Sequence, residues 1–150
     1  MGRGTGGPPA RAGGAGTILT LLLLDTTVLV HRERSSLDLD GLIHDDDEPA
    51  IAAITVAELG VGVEIVSGKR RTTRKRFLDE IVATLPIVGY DLDIARAHTS
   101  LLVAVRESGT PRGAHDLIIA ATARAKARTV VTSDRTGFID LPGVRVRQPG

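Results

Sequence analysis

The sequence contains no cysteine and no tryptophan, and among its 150 residues only Phe77, Tyr90 and Phe138 are aromatic. The absence of cysteine excludes disulfides, thiolate metal sites and a cysteine nucleophile, and it is typical of a reducing compartment. Because 42% of the residues are hydrophobic and so few are aromatic, the core must be aliphatic. The scarcity of aromatic rings also argues against base stacking as the main way of holding single-stranded nucleic acid.

An excess of charge of one sign and long apolar runs are also missing. The 19 Lys and Arg residues oppose 18 Asp and Glu residues, giving a net charge of +1, so any binding of nucleic acid must come from local patches. No run reaches the roughly 20 apolar residues that a membrane helix needs. We therefore expect a cytoplasmic protein without membrane contact.

Residues 1–16 differ in composition from the rest of the chain, since they are mostly Gly, Ala and Pro with Arg3 and Arg11. Such a segment cannot bury enough apolar area to offset its backbone entropy, so we expect a disordered tail, native or added by cloning. Residues 17–150 are long enough for a single domain, which at this size buries about 68–70% of the surface of its unfolded chain.

Two predicted strands end on a carboxylate. Leu21 to Leu24 are four consecutive leucines, which predict a short strand buried on both faces, and Asp25 follows directly. A carboxylate at the end of a parallel strand points into the crevice where open α/β sheets bind ligands. The apolar segment 129–132 repeats the pattern, because Asp134 follows it closely. Asp25 and Asp134 are therefore candidates for chemistry.

Two further carboxylates lie at predicted strand-to-helix junctions, and each has a structural explanation as well. We predict a strand over 50–54 and a helix over 55–66, in which Thr55 and Glu58 match a capping box. Alternatively, Glu58 faces the same crevice as Asp25. Asp116 opens an alanine-rich helix, where the helix dipole favours a carboxylate whether or not it has a function.

The other segments complete an alternating α/β pattern. Asp91 caps a helix that ends near Gly109, and Asp93, in the first turn of that helix, is a candidate outer member of the site. We further predict a weak helix over 36–43, a solvated loop over 45–48, a strand over 86–90 and an edge strand over 144–147.

Six of the eight residues from Lys69 to Arg76 are basic, and the apolar residues from Phe77 to Leu85 that follow have helical spacing. We predict a loop that continues into the first turns of a helix. Most charge runs of this kind are solvated helix faces. The alternative is a phosphate-contacting patch on an otherwise nearly neutral protein.

The four junction carboxylates predict a metal site. In a parallel sheet these positions share one edge, so Asp25, Glu58, Asp116 and Asp134 can converge there. Like charges in a crevice repel each other and are costly to desolvate unless a cation offsets them. Oxygen ligands favour Mg²⁺ or Mn²⁺ over zinc. A hydrated Mg²⁺ ion that polarises a phosphoryl oxygen would support phosphodiester chemistry.

Four segments carry a family resemblance, and they occur in the right order and spacing. They are LLDTTVL at 23–29, TVAEL at 55–59, HDLIIAA at 115–121 and TSDRTGF at 132–138. Together they resemble the sequence blocks of PIN-domain ribonucleases, and most of all the toxin subunits of VapBC toxin–antitoxin pairs, over about residues 18–148.

The resemblance implies a PIN-like α/β fold, with a four- to five-stranded parallel sheet flanked by helices. It also implies a homodimeric type II toxin, an endoribonuclease that cleaves RNA with metal-activated water. Asp25, Glu58, Asp116 and Asp134 would bind Mg²⁺ or Mn²⁺, and we expect the hydroxyls of Thr26 and Thr132 to orient them.

The resemblance further implies a cognate antitoxin whose C-terminal segment covers the site. Because a guanidinium can pair with two carboxylate oxygens, we expect that segment to insert an Arg or Lys among the acids. Other classes fit less well. A haloacid-dehalogenase-like phosphatase needs a second Asp where Thr27 stands, and a receiver domain needs acids where Leu23 and Leu24 stand. A catalytically weak or inactive PIN-fold module that binds RNA or protein remains the alternative.

Overall fold

The computed structural model describes residues 19–30, 41 and 43–149. Its strands are β1 (Thr20–Leu24), β2 (Asp47–Ala52), β3 (Ile87–Val88), β4 (Thr129–Val131) and β5 (Val146–Arg147). They form a five-stranded sheet in the order β3-β2-β1-β4-β5, and every neighbouring pair is parallel. The predicted parallel sheet is therefore confirmed.

Helices cover both faces of this sheet. They are α1 (Thr26–Val30), α2 (Ala53–Glu64), α3 (Gly68–Thr84), α4 (Leu92–Ser108) and α5 (Ala114–Ala125), followed by a 3-10 turn (Arg135–Gly137). Residues of α1, α2 and α3 share one buried apolar cluster, and residues of α4 and α5 share the other. None of the helices in the described part of the chain is both long and apolar enough to cross a membrane.

The leucine run of β1 supplies both apolar clusters, because successive strand side chains point to opposite faces. Leu23 packs in the cluster of α4 and α5, whereas Leu22 and Leu24 pack in the cluster of α1, α2 and α3. All three side chains are fully buried. Each contributes roughly 1.5–3 kcal/mol to folding. The predicted strand with two buried faces is confirmed.

The strand order reverses beside β1. From β1 the chain continues to β2 and β3 on one side, and α4 and α5 then return it to β4 on the other side. Ligands of open α/β sheets bind at such a switch point, outside the carboxyl ends of the strands. The amide of Asp25 still donates to the carbonyl of Val131 at 2.9 Å, so Asp25 lies at this point.

β2 lies earlier in the chain than the predicted strand over 50–54. It begins three residues earlier, at Asp47, and ends two residues earlier, at Ala52. Pro49 fits inside the strand because the amide of Ile51 points toward β3, donating to Pro86, and the missing N–H of Pro49 would point the same way. There β3 has not yet begun, since its first residue pairs with Ile51. Of the loop predicted over 45–48, only residues 45–46 lie outside the strand.

The ends of the other helices and strands lie closer to the predicted ones. Asp91 caps α4 as predicted, its Oδ1 accepting from the amide of Ile94 at 3.0 Å, and Gly109 ends the helix with a φ of 70°. The basic run is helical from Gly68, so the predicted loop at its start is wrong. β3 and β5 are shorter than the predicted strands over 86–90 and 144–147. The predicted tail over 1–16 lies outside the described residues, as does most of the predicted helix over 36–43.

Candidate active site

Asp25 is a buried carboxylate held by three donors. Its side chain is 2% exposed. Oδ1 accepts from the amide of Thr26, and Oδ2 accepts from the hydroxyls of Thr27 and Thr132, each at 2.8 Å. Burial raises the pKa of Asp25 above its usual value, the hydrogen bonds partly oppose this, and the charge of Glu58 adds to it. Asp25 is thus fixed in position at an electrostatic cost.

The Thr27 and Thr132 hydroxyls tie the end of β1 to the end of β4. Thr132 is fully buried, and besides donating to Asp25 its Oγ1 accepts from the amide of Asp134 at 3.0 Å. The Oγ1 of Thr27 accepts from the amide of Ser133 at 3.1 Å. Thr132 was predicted as a supporting residue, but Thr27 was not. The second threonine after Asp25 in the sequence is the one local sign that Thr27 also contacts the carboxylate.

Glu58 faces the crevice and not its own helix end. Its Oε1 accepts from the Oγ1 of Thr26 at 2.7 Å, and its Oε2 lies 3.1 Å from Nδ1 of His115. α2 begins at Ala53, with Ala52 at the cap position and no side-chain cap, so the predicted capping box of Thr55 and Glu58 does not form. Thr26 therefore orients Glu58, and His115 adds a contact that no local sequence pattern indicates.

Asp116 lies in the first turn of α5, as predicted, and its charge is not compensated by hydrogen bonds. Within the described residues no donor reaches either carboxylate oxygen. Burial raises its pKa most, followed by the charges of Asp25, Glu58 and Asp134, while His115 opposes the rise. The structure therefore brings the four predicted carboxylates within electrostatic reach of one another.

The backbone of the 3-10 turn packs directly against Asp116. A Cβ placed on Gly137 would stand 2.6 Å from Oδ2 of Asp116, and one on Gly113 would stand 3.1 Å from it. No real side chain fits at the first distance without displacement. Gly137 thus allows the carboxylate to lie against the turn that follows Asp134.

Asp134 has a structural contact as well as a place in the crevice. It precedes the 3-10 turn and its Oδ1 accepts from the amide of Thr136 at 3.2 Å and from the hydroxyl of Thr136 at 2.6 Å. Within the described part of the chain, Oδ2 accepts no hydrogen bond. Asp134 can therefore hold its own turn with one oxygen and present the other to a ligand.

Arg112 fixes the turn before α5 to the segment after the 3-10 turn. Its Nη2 donates to the carbonyl of Ile139 at 2.7 Å. Its Nη1 is buried without a hydrogen-bond partner among the described residues. The contact sets the relative position of the segments that carry Asp116 and Asp134, and no sequence pattern had indicated it.

Asp93 does not join the other carboxylates. It lies in the first turn of α4, where its charge acts on Lys126, and Lys126 also pairs with the cap residue Asp91 at 2.5 Å. Lys126 follows the end of α5, and at 1.5 Å per residue it is roughly 15 Å along that helix from Asp116. Asp93 therefore belongs to a contact between α4 and α5.

Without Asp93, the candidate metal ligands in the crevice are the oxygens of four carboxylates. In residues 19–30, 41 and 43–149, no three Asp, Glu or His side chains stand close enough to hold one ion as they are. Mg²⁺ commonly keeps several waters and takes only one or two carboxylates directly. Asp25, Glu58, Asp116 and Asp134 could hold a hydrated cation of this kind.

This fold and this crevice define a class of protein. The family model of the PIN domain matches residues 22–144, which is more than half of the chain, so the chain belongs to the PIN-domain family. The likeness to PIN domains inferred from the four sequence segments is thereby confirmed.

Within this family, the chain is similar to several toxins and ribonucleases. The chain is 33% identical over 137 residues to VapC ribonuclease Y4jK from Sinorhizobium fredii, covering 86% of this chain and 97% of that protein. It is 32% identical over 128 residues to Toxin FitB from Neisseria gonorrhoeae, covering 79% and 91%. A structure of VapBC-5, a member of the VapBC family of toxin–antitoxin systems from Mycobacterium tuberculosis, matches with a TM-score of 0.71 and 30% identity, covering 86% and 98%.

Replacing Asp116 by Asn should raise the melting temperature in EDTA at neutral pH. A carboxyl whose pKa is raised in the folded state binds its proton more tightly there than in the unfolded chain, so the charge lowers stability as pH rises above about 3.8. The gain should shrink as pH falls toward that value, where both states become protonated. Melting curves of both proteins across this range measure the effect. Asp93→Asn, outside the crevice, should give no gain, and a loss for Asp116→Asn at neutral pH would identify Asp116 as a structural contact.

For the Mg²⁺ ion expected from the sequence, replacing Gly137 by Ala should weaken binding about 10- to 100-fold, the usual effect of disturbing a group that orients a metal ligand. The new Cβ would collide with Oδ2 of Asp116 and displace that carboxylate. Isothermal titration with Mg²⁺ measures the change. Gly89→Ala is the matched control, because no atom lies within 4 Å of the added Cβ there. Equal affinities for the two variants would show that the position of Asp116 does not matter for the metal.

Proposed function

We propose that this protein is the toxin of a type II toxin–antitoxin system and acts as a Mg²⁺- or Mn²⁺-dependent endoribonuclease. The observation that carries the proposal is the carboxylate of Asp116, which accepts no hydrogen bond within the described residues and lies in a crevice with Asp25, Glu58 and Asp134. Membership of the PIN family and relatives named VapC ribonuclease and Toxin FitB support the same activity.

Each of the four carboxylates would offer different oxygens to the cation. Asp25 offers Oδ1, which accepts only one hydrogen bond, while both oxygens of Asp116 and Oδ2 of Asp134 have no donor within the described residues. Glu58 would join from the α2 side, where Thr26 holds its Oε1. When bound, the metal would polarise a phosphoryl oxygen and lower the pKa of a water molecule.

The residues of the chain would supply position and a proton acceptor. The hydroxyls of Thr27 and Thr132 keep Asp25 at the strand ends, so its carboxylate does not need to reorganise when substrate arrives. Asp116 is more exposed than Asp25 and accepts no hydrogen bond within the described residues, so it is the better placed of the two to accept a proton from the attacking water. Without a cation the crevice would repel the phosphates of RNA, so cleavage would require metal.

An antitoxin would neutralise the same crevice. Solved neighbours of this fold include toxin–antitoxin complexes, and a guanidinium or ammonium group can replace a cation among carboxylates. We propose that a C-terminal segment of the antitoxin inserts an Arg or Lys between Asp25, Glu58, Asp116 and Asp134. The toxin would act as a homodimer.

Purified protein should cleave single-stranded RNA in Mg²⁺ or Mn²⁺, and EDTA should abolish cleavage. Asp25→Asn keeps the size of the side chain but removes its charge, and it should lower the rate by more than about 100-fold, beyond the usual effect of an outer-shell residue. Mapping the 5′ ends of the fragments measures the activity and gives the cleavage site. Asp93→Asn should cleave normally. Cleavage that persists in EDTA or in Asp25→Asn would contradict the proposal, and absence of cleavage by an RNA-binding wild type would favour an inactive binding module.

Mg²⁺ and the antitoxin should weaken each other's binding, because both would neutralise the same carboxylates and coupling between ligands is reciprocal. Titrating the antitoxin into the toxin at zero and saturating Mg²⁺, at fixed ionic strength, measures this coupling. Asp116→Asn in the toxin should reduce it. An antitoxin affinity that Mg²⁺ leaves unchanged would show that inhibition is steric and comes from elsewhere on the surface.

A further inference from the structure

The first half of α3 carries a concentration of positive charge that helix stability does not explain. Lys69, Arg70 and Arg71 occupy its first turn, where the helix dipole disfavours cations. No acidic residue lies in that turn, and Ser67 at the cap position makes no side-chain hydrogen bond. Residues that oppose local stability in this way are expected where they have another function.

Packing does not explain these cations either. The helix is anchored in the core through Phe77 and Ile81, which are buried, whereas residues 68–73 are all exposed. The basic residues therefore extend the helix past the part that packs against the sheet.

Ion pairing accounts for only part of this charge. Arg71 pairs with Glu64 at 2.9 Å, and Lys75 pairs with Asp79 at 3.0 Å. Exposed pairs of this kind are worth little, about 0–1 kcal/mol. Lys69, Arg70 and Arg76 have no side-chain partner among the described residues. These cations remain available to an outside anion.

The basic turns of α3 border the carboxylate crevice. Nη1 of Arg74 donates to the carbonyl of Gly62 at 2.8 Å, and Gly62 lies one helical turn after Glu58 on α2. Arg74 also lines a cavity of about 110 Å³ together with Glu58 and Thr26. A nucleic-acid strand that extends from the crevice past Glu58 would therefore reach the basic residues of α3 after about one helical turn of α2.

We propose that the basic turns of α3, residues 69–76, bind the backbone phosphates of RNA next to the bond that is cleaved. The inference rests on the proposed nuclease function. Repulsion between phosphates and the acidic crevice calls for a nearby source of positive charge, and the net charge of +1 shows that the chain as a whole does not provide it. Because Phe77, the nearest aromatic residue, is buried, the contact would be to phosphates and not to bases.

The test measures RNA binding separately from cleavage. Asp25→Asn provides a full-length, non-cleaving background, and a short single-stranded RNA of mixed sequence is the probe. Adding Lys69→Gln, Arg70→Gln and Arg76→Gln should make the slope of log affinity against log salt shallower by about 2, at roughly 0.7 per lost phosphate contact. The same contacts predict about a 100-fold loss of affinity near 0.1 M salt.

A matched control removes the same charge elsewhere. Arg96→Gln, Arg106→Gln and Arg145→Gln neutralise three exposed cations outside α3. This control should leave the salt slope nearly unchanged. The α3 variant should melt at the same or a higher temperature than its parent, because it removes cations from the first turn of a helix.

The outcomes distinguish this inference from the proposed function. Equal weakening of RNA binding by both triple variants would overturn it in favour of a general effect of net charge. So would unchanged RNA binding with loss of antitoxin binding in the α3 variant, which would assign the surface to the protein partner. In either case normal cleavage by wild type would leave the nuclease proposal standing. If wild type failed to cleave RNA and only the α3 variant lost RNA binding, the nuclease proposal would be contradicted and the RNA-binding role of α3 would be supported.

Discussion

The site depends on the burial of one carboxylate, Asp25, between the ends of two strands. A buried charge is tolerated only when donors satisfy it. Here the amide of Thr26 and the hydroxyl of Thr27 do so from α1, and the hydroxyl of Thr132 does so from the residue after β4. The same hydroxyls accept backbone amides of the segment after β4. Satisfying Asp25 therefore also fixes the path that carries Asp134, so the strand switch point and the chemistry share one hydrogen-bond network.

The other acids are held by different means, and the differences give them different chemistry. Glu58 is held by a hydroxyl from α1 and Asp134 by its own turn, whereas Asp116 lies against Gly137 and Gly113 and accepts no hydrogen bond among the described residues. Burial, and after it the charges of Asp25, Glu58 and Asp134, raises the pKa of Asp116, and His115 opposes this rise. Like charges in such a crevice repel each other, so a cation that bound there only in the folded protein would stabilise it.

The sequence predicted the strands and the four carboxylates because both follow from local patterns: an apolar run, then an acid. It could not place the residues whose role depends on distant partners. Glu58 and Thr55 fit a capping box locally, but Thr26 on another helix offers Glu58 a hydrogen bond at 2.7 Å, and the box does not form. Thr27, His115 and Arg112 make contacts across the fold. Asp93 is also a carboxylate in the first turn of a helix, but its charge acts on Lys126. Local pattern identifies charged groups; tertiary pairing decides which of them meet.

The near-neutral total charge conceals a separation of charge between two adjoining surfaces. The acidic crevice and the basic turns of α3 adjoin at Glu58, Gly62 and Arg74, so a ligand that spans both surfaces meets charges of opposite sign. A polyanion alone would be drawn to α3 and repelled by the crevice, and a cation in the crevice would remove that conflict. A peptide with a basic group would satisfy the crevice but be repelled by α3 unless it also carried acids. On the proposed function, this separation of charge is complementary to a polyanion that binds together with a cation, since neither surface alone would accept both.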